Sequence, residues 1–508
     1  MSPRSVDALR VLAIALCARL AVVVVAHAKF PPADDGTYYD VFARRLAAGA
    51  GYTWLWPDGA VTYVAHYPVG YPALLALAYA AFGASTAAAM TVNAVFGASS
   101  AWAAHRLVDG PHVPRWRPLA AGLAVALHPA LVPYTAAVMT EGTTAALLMI
   151  AAWMTDQCRR RNHGSPGWLV AAGVVMGVAT LVRPTSLLLA PVWGSMSTPS
   201  RRTRRRLLAA GAMSLVALTV VMPWTARNCV RMHRCALVSV NGGWNLLIGA
   251  QTVSGTWTPI EVPPACATVW DEAAKDACFE REARREIAAR PLAWVARAPA
   301  KLAATFDYIG AAPSYLGASN PGAFDVRAKV RLGAVDTLAC RGFLLAALVA
   351  CGRLGGPRTR ARKIAALLGA VGALTLHGWL GYVALVVCTL FWVVPEFRRR
   401  VSPSDSFDSR GLGQNCCFVP AAAASVIAVT AIVHAAFIGA GRYGLVVLPF
   451  VAMVPFCGFG AREGQAVART AWSRQIGLGL RRLGDRRRVP NARGSREESP
   501  SSTEHDAG

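Results

Sequence analysis

Apolar residues in this chain come in long unbroken runs separated by short polar breaks. The first run, Val11 to Ala28, is long enough as a helix to cross ~30 Å of hydrocarbon. Others lie near residues 86–104, 118–134, 136–155, 167–181, 184–197, 207–224, 334–351, 364–377, 378–395, 419–440 and 443–460. Only helices and closed barrels satisfy every backbone polar group in lipid, and runs of this length select helices. The pattern predicts an all-α polytopic membrane protein with about twelve transmembrane helices, eleven to thirteen allowing for short runs and the uncertain divider at His377. The run from Pro72 to Gly83 is too short to span and predicts an interfacial or re-entrant helix. No internal repeat is visible.

Basic residues orient these elements. Arg115 and Arg117, Arg159 to Arg161, Arg201 to Arg206, Arg358 to Lys363, Arg398 to Arg400 and the C-terminal tail all fall on one side if the N-terminus is cytoplasmic. The expected organisation is a first transmembrane helix over 1–28, an external loop over 29–85, helices over 86–224, an external segment over 225–333, helices over 334–460 and a basic cytoplasmic tail over 461–508. Within 225–333, Asp271 to Arg290 reads as a helix. In the tail, Trp472, Ile476, Leu480 and Leu483 have the spacing of a surface-lying amphipathic helix, and the Ser-, Glu-, Pro- and Gly-rich end reads as disordered. Arg4 and Arg10 before an apolar core, with Ala26-His27-Ala28 after it, also fit a cleaved signal peptide; the many later spans favour a retained helix.

Composition agrees with the pattern. Of 508 residues, 55% are hydrophobic and 16% charged, more apolar than a soluble domain. The net charge of +25 sits in loop clusters and the tail, where membrane topology and anionic lipid account for it, so nucleic acid is not an expected partner. Twelve cysteines occur without a Cys-x-x-Cys spacing, which indicates neither a zinc ribbon nor a thioredoxin-like motif. Cys229, Cys235, Cys266 and Cys278 all fall in the second external segment. Pairing there has three connectivities, and local pairing, Cys229 with Cys235 and Cys266 with Cys278, is the expected one.

Ionisable residues outside the basic clusters carry the chemistry. Arg19, mid-span, should face the bundle. Asp34 and Asp35 follow the first span, Glu141 opens the fourth, Arg183 lies between two short spans, Arg227 and Asn228 leave the seventh, and Arg442-Tyr443 closes the last outer turn. All fall on the external side. Singly each has a plain explanation: Asp34 as a helix cap, Glu141 as an interfacial anchor, the arginines as lipid-headgroup ligands, His66 as a hydrogen-bonded loop residue. Together they describe a polar site open to the outside and to lipid.

The set resembles the fold-type-C glycosyltransferases, closest to the protein O-mannosyltransferase and lipid A aminoarabinose transferase branch. The residues that carry the resemblance are Asp34-Asp35 with Tyr38-Tyr39, Gly49-Ala-Gly-Tyr52, Pro68-Val-Gly-Tyr-Pro72, Phe82-Gly83, Thr140-Glu141, Leu181-Val-Arg-Pro184, Pro223-Trp-Thr-Ala-Arg-Asn228, Asn241-Gly-Gly-Trp-Asn-Leu246 and Gly441-Arg-Tyr443, in that order over roughly residues 5–460. Many members of the family have Asp-Glu where this chain has Asp34-Asp35, and Pro-Pro where it has Pro68-Val69, which leaves the sugar unassigned. The resemblance implies a polyprenyl-phosphate sugar donor and an acceptor hydroxyl on a glycan, lipid or protein. Asp34 would be the general base, with Asp35 and Glu141 orienting it, binding sugar or holding a divalent cation. Arg442 and Arg227, then Arg183, would face the leaving phosphate. His66 and Tyr443 complete the expected substrate-binding set. Asn241-Gly-Gly-Trp-Asn245 is expected to form a tight turn with an exposed aromatic, and Trp244, Trp257 and Trp270 suit sugar stacking or the membrane interface. A multipass transporter or lipid flippase is the alternative; it should carry midplane charges in repeated halves, and Arg19 is the one strong midplane candidate.

Orientation is testable directly. A cysteine placed near Gly59 should react with an impermeant maleimide added from outside intact cells, and one in the 202–206 stretch only after permeabilisation; the reverse pattern would remove the carboxylates from the external face.

Overall fold

The computed structural model describes residues 2–457 except 112, 162–164, 199, 201, 354–358 and 400–414. The tail with Trp472, Ile476, Leu480 and Leu483 lies outside the described residues, as do Arg201, Arg358 and Arg400. Each expected apolar run contains helix. The first half holds α1 (Pro3–Ala26), α2 (Asp35–Ala47), β1 (Thr53–Leu55), β2 (Val61–Tyr63), α3 (Gly70–Phe82), α4 (Thr86–Val108), α5 (Trp116–Ala126), α6 (Thr140–Arg160), α7 (Pro166–Val182), α8 (Leu189–Met196) and α9 (Thr203–Arg231). Then come α10 (Gly242–Gln251), α11 (Pro264–Ala267), α12 (Glu272–Ala289), α13 (Pro291–Ala296), α14 (Ala298–Phe306) and α15 (Ala311–Ser319). The chain continues through α16 (Val326–Gly352), α17 (Thr359–Thr375), α18 (Gly378–Arg399), α19 (Asn415–Ala436), α20 (Gly441–Gly444) and α21 (Leu448–Met453).

Four segments are long and apolar enough to cross a membrane: Pro3–Ala26, Thr203–Arg231, Val326–Gly352 and Phe418–Ala436. Others are cut short by proline. The run 118–134 yields a helix only to Ala126, because Pro129 and Pro133 follow. That leaves orphan carbonyls at the end of α5 inside the bundle. Arg19 of α1 answers them, donating to the carbonyls of Ala126 at 2.9 Å and Val125 at 3.3 Å. The mid-span arginine therefore faces inward, as expected, and its work is to close a broken helix inside the bundle.

Polarity is arranged inside out, as a bilayer requires. Leu207, Leu208 and Leu215 on α9 and Leu367, Leu368 and Leu374 on α17 are exposed, while Arg19, Glu141 and Asp336 are buried. Small residues let helices meet closely. A Cβ on Gly173 or Gly177 of α7 would lie 2.8 Å or 2.6 Å from the Cβ of Val216 or Val220 on α9. One end of the bundle is tied by acids that neutralise the basic loops. Asp7 accepts from Arg115 at 2.8 Å, Asp156 pairs with Arg159 at 2.7 Å and with Arg160, and Asp109 pairs with Arg4.

At the other end, α2, the β1–β2 hairpin, α3 and α10 to α15 form a cover. The hairpin pairs Thr53 with Tyr63, Trp54 with Thr62 and Leu55 with Val61. Helix α12 starts as expected, with Asp271 capping the Ala274 amide at 2.7 Å. Both disulfides, Cys229–Cys235 and Cys266–Cys278, are present. Asn241-Gly-Gly-Trp-Asn245 is not an exposed turn: it opens α10, and Trp244 packs edge-on against Phe279 at 5.2 Å and His66 at 5.9 Å. The reason is Asp276 on α12, whose carboxylate accepts the Trp244 amide at 3.0 Å and anchors the helix start. Trp257 and Trp270 are exposed.

The α7–α9 contact sets the position of Arg183, which follows α7 directly. Gly177→Val should overpack it and lower stability by about 1–3 kcal/mol, whereas Gly211→Ala on α9, with nothing within 4 Å of the added Cβ, should be neutral or stabilising by under about 1 kcal/mol. Thermal unfolding in detergent reads both; equal effects would mean the close contact is not there.

Candidate active site

The site forms where helix ends converge: the exit from α1, the start of α6, the end of α7 and the short turn from α19 into α20. Glu141 sits in the first turn of α6, where the helix dipole favours a carboxylate, and is 2% exposed. Arg183 is the residue after α7. Arg442 lies between Gly441 and Tyr443 at the start of α20.

These residues make one chain of alternating charge. Arg442 reaches Asp35 at 2.7 Å and Glu141 at 3.7 Å, and Arg183 reaches the same Glu141 oxygen at 3.3 Å. Each carboxylate also accepts a tyrosine hydroxyl, Tyr67 to Asp35 at 3.1 Å and Tyr134 to Glu141 at 2.8 Å. Burial, then the neighbouring Asp35, pushes the Tyr67 hydroxyl well above its ordinary range, so it stays protonated and donates. Tyr443 forms the floor. His434 stacks on it at 4.2 Å, with the guanidinium groups of Arg183 and Arg442 at 4.7 Å and 5.2 Å from its ring centroid. A cleft leads from Arg183, Thr185, Ser186, His434 and Tyr443 along an apolar wall that includes Val426 and Val429.

Asp34 differs from its neighbour. It stands at the cap position of α2 but its side chain accepts no capping bond, and it is exposed. No hydrogen bond or ion pair from the described residues engages its carboxylate. Its backbone has φ 50° and ψ −133°, a conformation that costs a non-glycine residue roughly 1–3 kcal/mol. The surroundings impose this. Tyr315 on α15 accepts the amides of Ala33 and Val138, each at 3.2 Å, pinning the chain on one side of Asp34 to the loop before α6. On the other side, a Cβ on Gly36 would lie 2.8 Å from the Val138 carbonyl.

Two expected site residues are placed differently. Arg227 spends its guanidinium on the carbonyls of Val64 and Tyr52, both at 2.9 Å, and on Asn228 at 3.0 Å. Trp224, Thr225 and Asn228 likewise bind carbonyls of 236–238. The Pro223–Asn228 motif is thus a clasp between α9 and the cover. His66 is held between Tyr67 at 4.9 Å and Trp244; burial lowers its pKa, against the pull of Asp276 and Asp35. It borders the site through Tyr67. A divalent cation between Asp35 and Glu141 does not fit this arrangement: Arg442 already bridges the two, and no group of three His, Cys, Asp or Glu converges among the described residues. Tyr67, Tyr134, Tyr315 and His434 belong to the site without having been expected there. Only Tyr67, in His66-Tyr-Pro68 beside the noted loop, had a sequence signal.

With that geometry in place, residues 66–226 match the family model for dolichyl-phosphate-mannose-protein mannosyltransferase. The match covers 161 of the chain's 508 residues. It holds Glu141, Arg183 and His66, whereas Asp34, Asp35, Arg227 and Arg442 lie outside it and stand on geometry. Similar solved structures include ArnT from Cupriavidus metallidurans in the apo state, 15% identical over 90% of this chain and 78% of that one, TM-score 0.35. The same protein bound to undecaprenyl phosphate is 16% identical over 88% and 77%, TM-score 0.36. The archaeal oligosaccharyltransferase AglB from Archaeoglobus fulgidus is 13% identical over 96% of this chain and 52% of that one, TM-score 0.42. At such TM-scores no detail of the site rests on them. No curated protein sequence matches the chain.

The strain at Asp34 has a measurable consequence. Asp34→Gly should raise stability by roughly 1 kcal/mol, the relief of strain less the entropy a glycine adds to the unfolded chain. Asp34→Ala keeps the Cβ and should give no such gain. Equal unfolding temperatures for the two variants would mean that Asp34 carries no strain.

Proposed function

We propose that this membrane glycosyltransferase moves a sugar from a polyprenyl-phosphate donor to an acceptor hydroxyl at the external face, with Asp34 as general base. The observation that carries the proposal is the contrast between two adjacent carboxylates. Asp35 is neutralised by Arg442 and Tyr67, while Asp34 is exposed, unpaired and held in a strained backbone beside them. A base must be free to accept a proton, and Asp34 alone of the three acids is.

In this reading the acceptor oxygen attacks the anomeric carbon, its proton passes to Asp34, and the bond from that carbon to the phosphate oxygen breaks. The departing phosphate gains a full negative charge. Among the described residues Arg183 has only one donor committed, to Glu141, so the rest of its guanidinium can receive the phosphate as charge develops. Arg442 adds its field and fixes Asp35. The cleft beside Arg183 and Tyr443 takes the first part of the prenyl chain along Val426 and Val429. Arg227 acts through position, by holding the cover closed over the site. The arrangement of about twelve spans with a cytoplasmic N-terminus belongs to the same proposal, supported by the arginine asymmetry and by acid–arginine ties at the opposite end of α1 and α6 from the site.

Asp34→Asn is the decisive variant. It preserves volume and tolerates positive φ, so expression and fold should persist, while transfer of labelled sugar from a polyprenyl-phosphate donor in membranes should fall roughly 100-fold to 10,000-fold. Transfer near the wild-type rate by folded Asp34→Asn would refute the assignment. Asp35→Asn should act differently, loosening Arg442 and lowering stability together with activity.

A further inference from the structure

Next to Asp35 an aromatic track runs out of the site. Tyr67, whose hydroxyl binds Asp35, stacks on Tyr38 at 5.0 Å with 21° between the rings. Tyr38 leans on Trp54 at 5.7 Å, and Trp54 meets Trp56 edge-on at 6.4 Å. The outer members are open to solvent, Tyr38 by 41% and Trp56 by 49%. Exposed aromatic groups of this size call for a partner. The rings are also fixed: Phe42 backs Trp54 at 6.0 Å, and the Trp56 indole N–H donates to Thr62 at 2.9 Å.

The hairpin sorts chemistry between its faces. Side chains alternate along a strand, so Trp54 and its partner Thr62 share one face, and Thr53 and Tyr63 the other. The cations lie with the second face. Arg231 and Arg227 sit 4.6 Å and 5.4 Å from the Tyr63 ring, and Arg45 donates to Thr53 at 2.8 Å. The track therefore presents ring faces edged by hydroxyl groups of Tyr38 and Thr62, with no arginine or lysine over its rings among the described residues. That suits a neutral ligand with apolar C–H faces and many hydroxyls. An acidic lipid headgroup or a phosphorylated chain would be drawn to the opposite face.

We propose that this track is the acceptor subsite and that the acceptor is a neutral saccharide chain, bound along Trp56, Trp54 and Tyr38 with its reacting hydroxyl delivered to Asp34. The inference rests on the transferase reading above and narrows its acceptor to a glycan. Successive sugar rings stack on successive aromatic rings, and Tyr67 marks the last position before the carboxylates. Such stacking selects for a chain of sugars over a polypeptide, whose side chains vary from residue to residue.

Binding is measured apart from transfer, by equilibrium dialysis of tritium-labelled manno-, galacto- and glucohexaose against the full-length detergent-solubilised chain carrying Asp34→Asn. At least one hexasaccharide should bind, its dissociation constant should rise 10-fold or more with Trp56→Ala, and Trp56→Phe should recover most of the loss. A Ser/Thr-containing hexapeptide should not compete. Absence of binding by all three saccharides, an unchanged constant in Trp56→Ala, or displacement by the peptide would each overturn the saccharide assignment. None of these would touch the role of Asp34 as base, which is read from transfer alone; conversely, full transfer by Asp34→Asn would remove the base while leaving saccharide binding standing.

Discussion

The structure depends on one interaction, the bridge that Arg442 makes between Asp35 and Glu141. Two carboxylates brought together beside a bilayer would repel each other and lose hydration, at a cost of several kcal/mol for each uncompensated charge. A guanidinium between them turns that cost into a chain of alternating sign that ends in Arg183. The bridge also joins elements remote in sequence: α2, α6, the end of α7 and α20. Remove its charge and Asp35 keeps only the Tyr67 hydroxyl among the described residues, while Glu141 keeps the Tyr134 hydroxyl and its 3.3 Å contact to Arg183. Such networks contribute less to net stability than to uniqueness of arrangement, and here the arrangement is the site.

A consequence follows for Asp34. Because Asp35 is fixed by Arg442 and Ala33 is fixed by Tyr315, the residue between them cannot relax to an ordinary backbone conformation. Its positive φ is the residue of two anchors, one electrostatic and one a backbone hydrogen bond. The same geometry keeps its carboxylate off the α2 amides that would otherwise cap the helix. A carboxylate committed to those amides would not be open to another partner, so strain and accessibility have one structural cause.

Much of this was legible in the sequence because bilayer physics writes in long strokes. The apolar runs contain the helices, Arg19 faces inward as its cost in lipid demands, and Cys229, Cys235, Cys266 and Cys278 pair locally, the expected one of three connectivities. The convergence of Asp35, Glu141, Arg183 and Arg442 followed from placing each charge on one side. What the sequence did not carry was pairing at atomic scale. Arg227 and Arg183 look alike in a string of letters, each an arginine at the end of an apolar run. Only the fold shows that Arg227 meets carbonyls of a loop more than 160 positions earlier, Tyr52 and Val64, while Arg183 meets a carboxylate. Trp244 was misread for a similar reason: Gly-Gly suggests a turn, but Asp276, 32 positions on, supplies the acceptor that starts a helix. Tyr134, Tyr315 and His434 had no local signature, since a tyrosine near proline or alanine says nothing about which acid or amide it will meet.

Three arginines show how far position governs chemistry in this protein. Arg19 lies buried within the bundle, and its donors go to the open end of α5. Arg227 lies at the rim, and its donors go to loop carbonyls that would otherwise be free to move. Arg442 lies where two acids converge, and its charge is what lets them do so. A guanidinium has five donors and never loses its proton in a protein, so it can satisfy carbonyls and balance carboxylates with equal ease. Which of these it does is decided by whatever the neighbouring backbone leaves unsatisfied. Asp34 is set apart from Asp35 and Glu141 because none of these three arginines was positioned to reach its carboxylate.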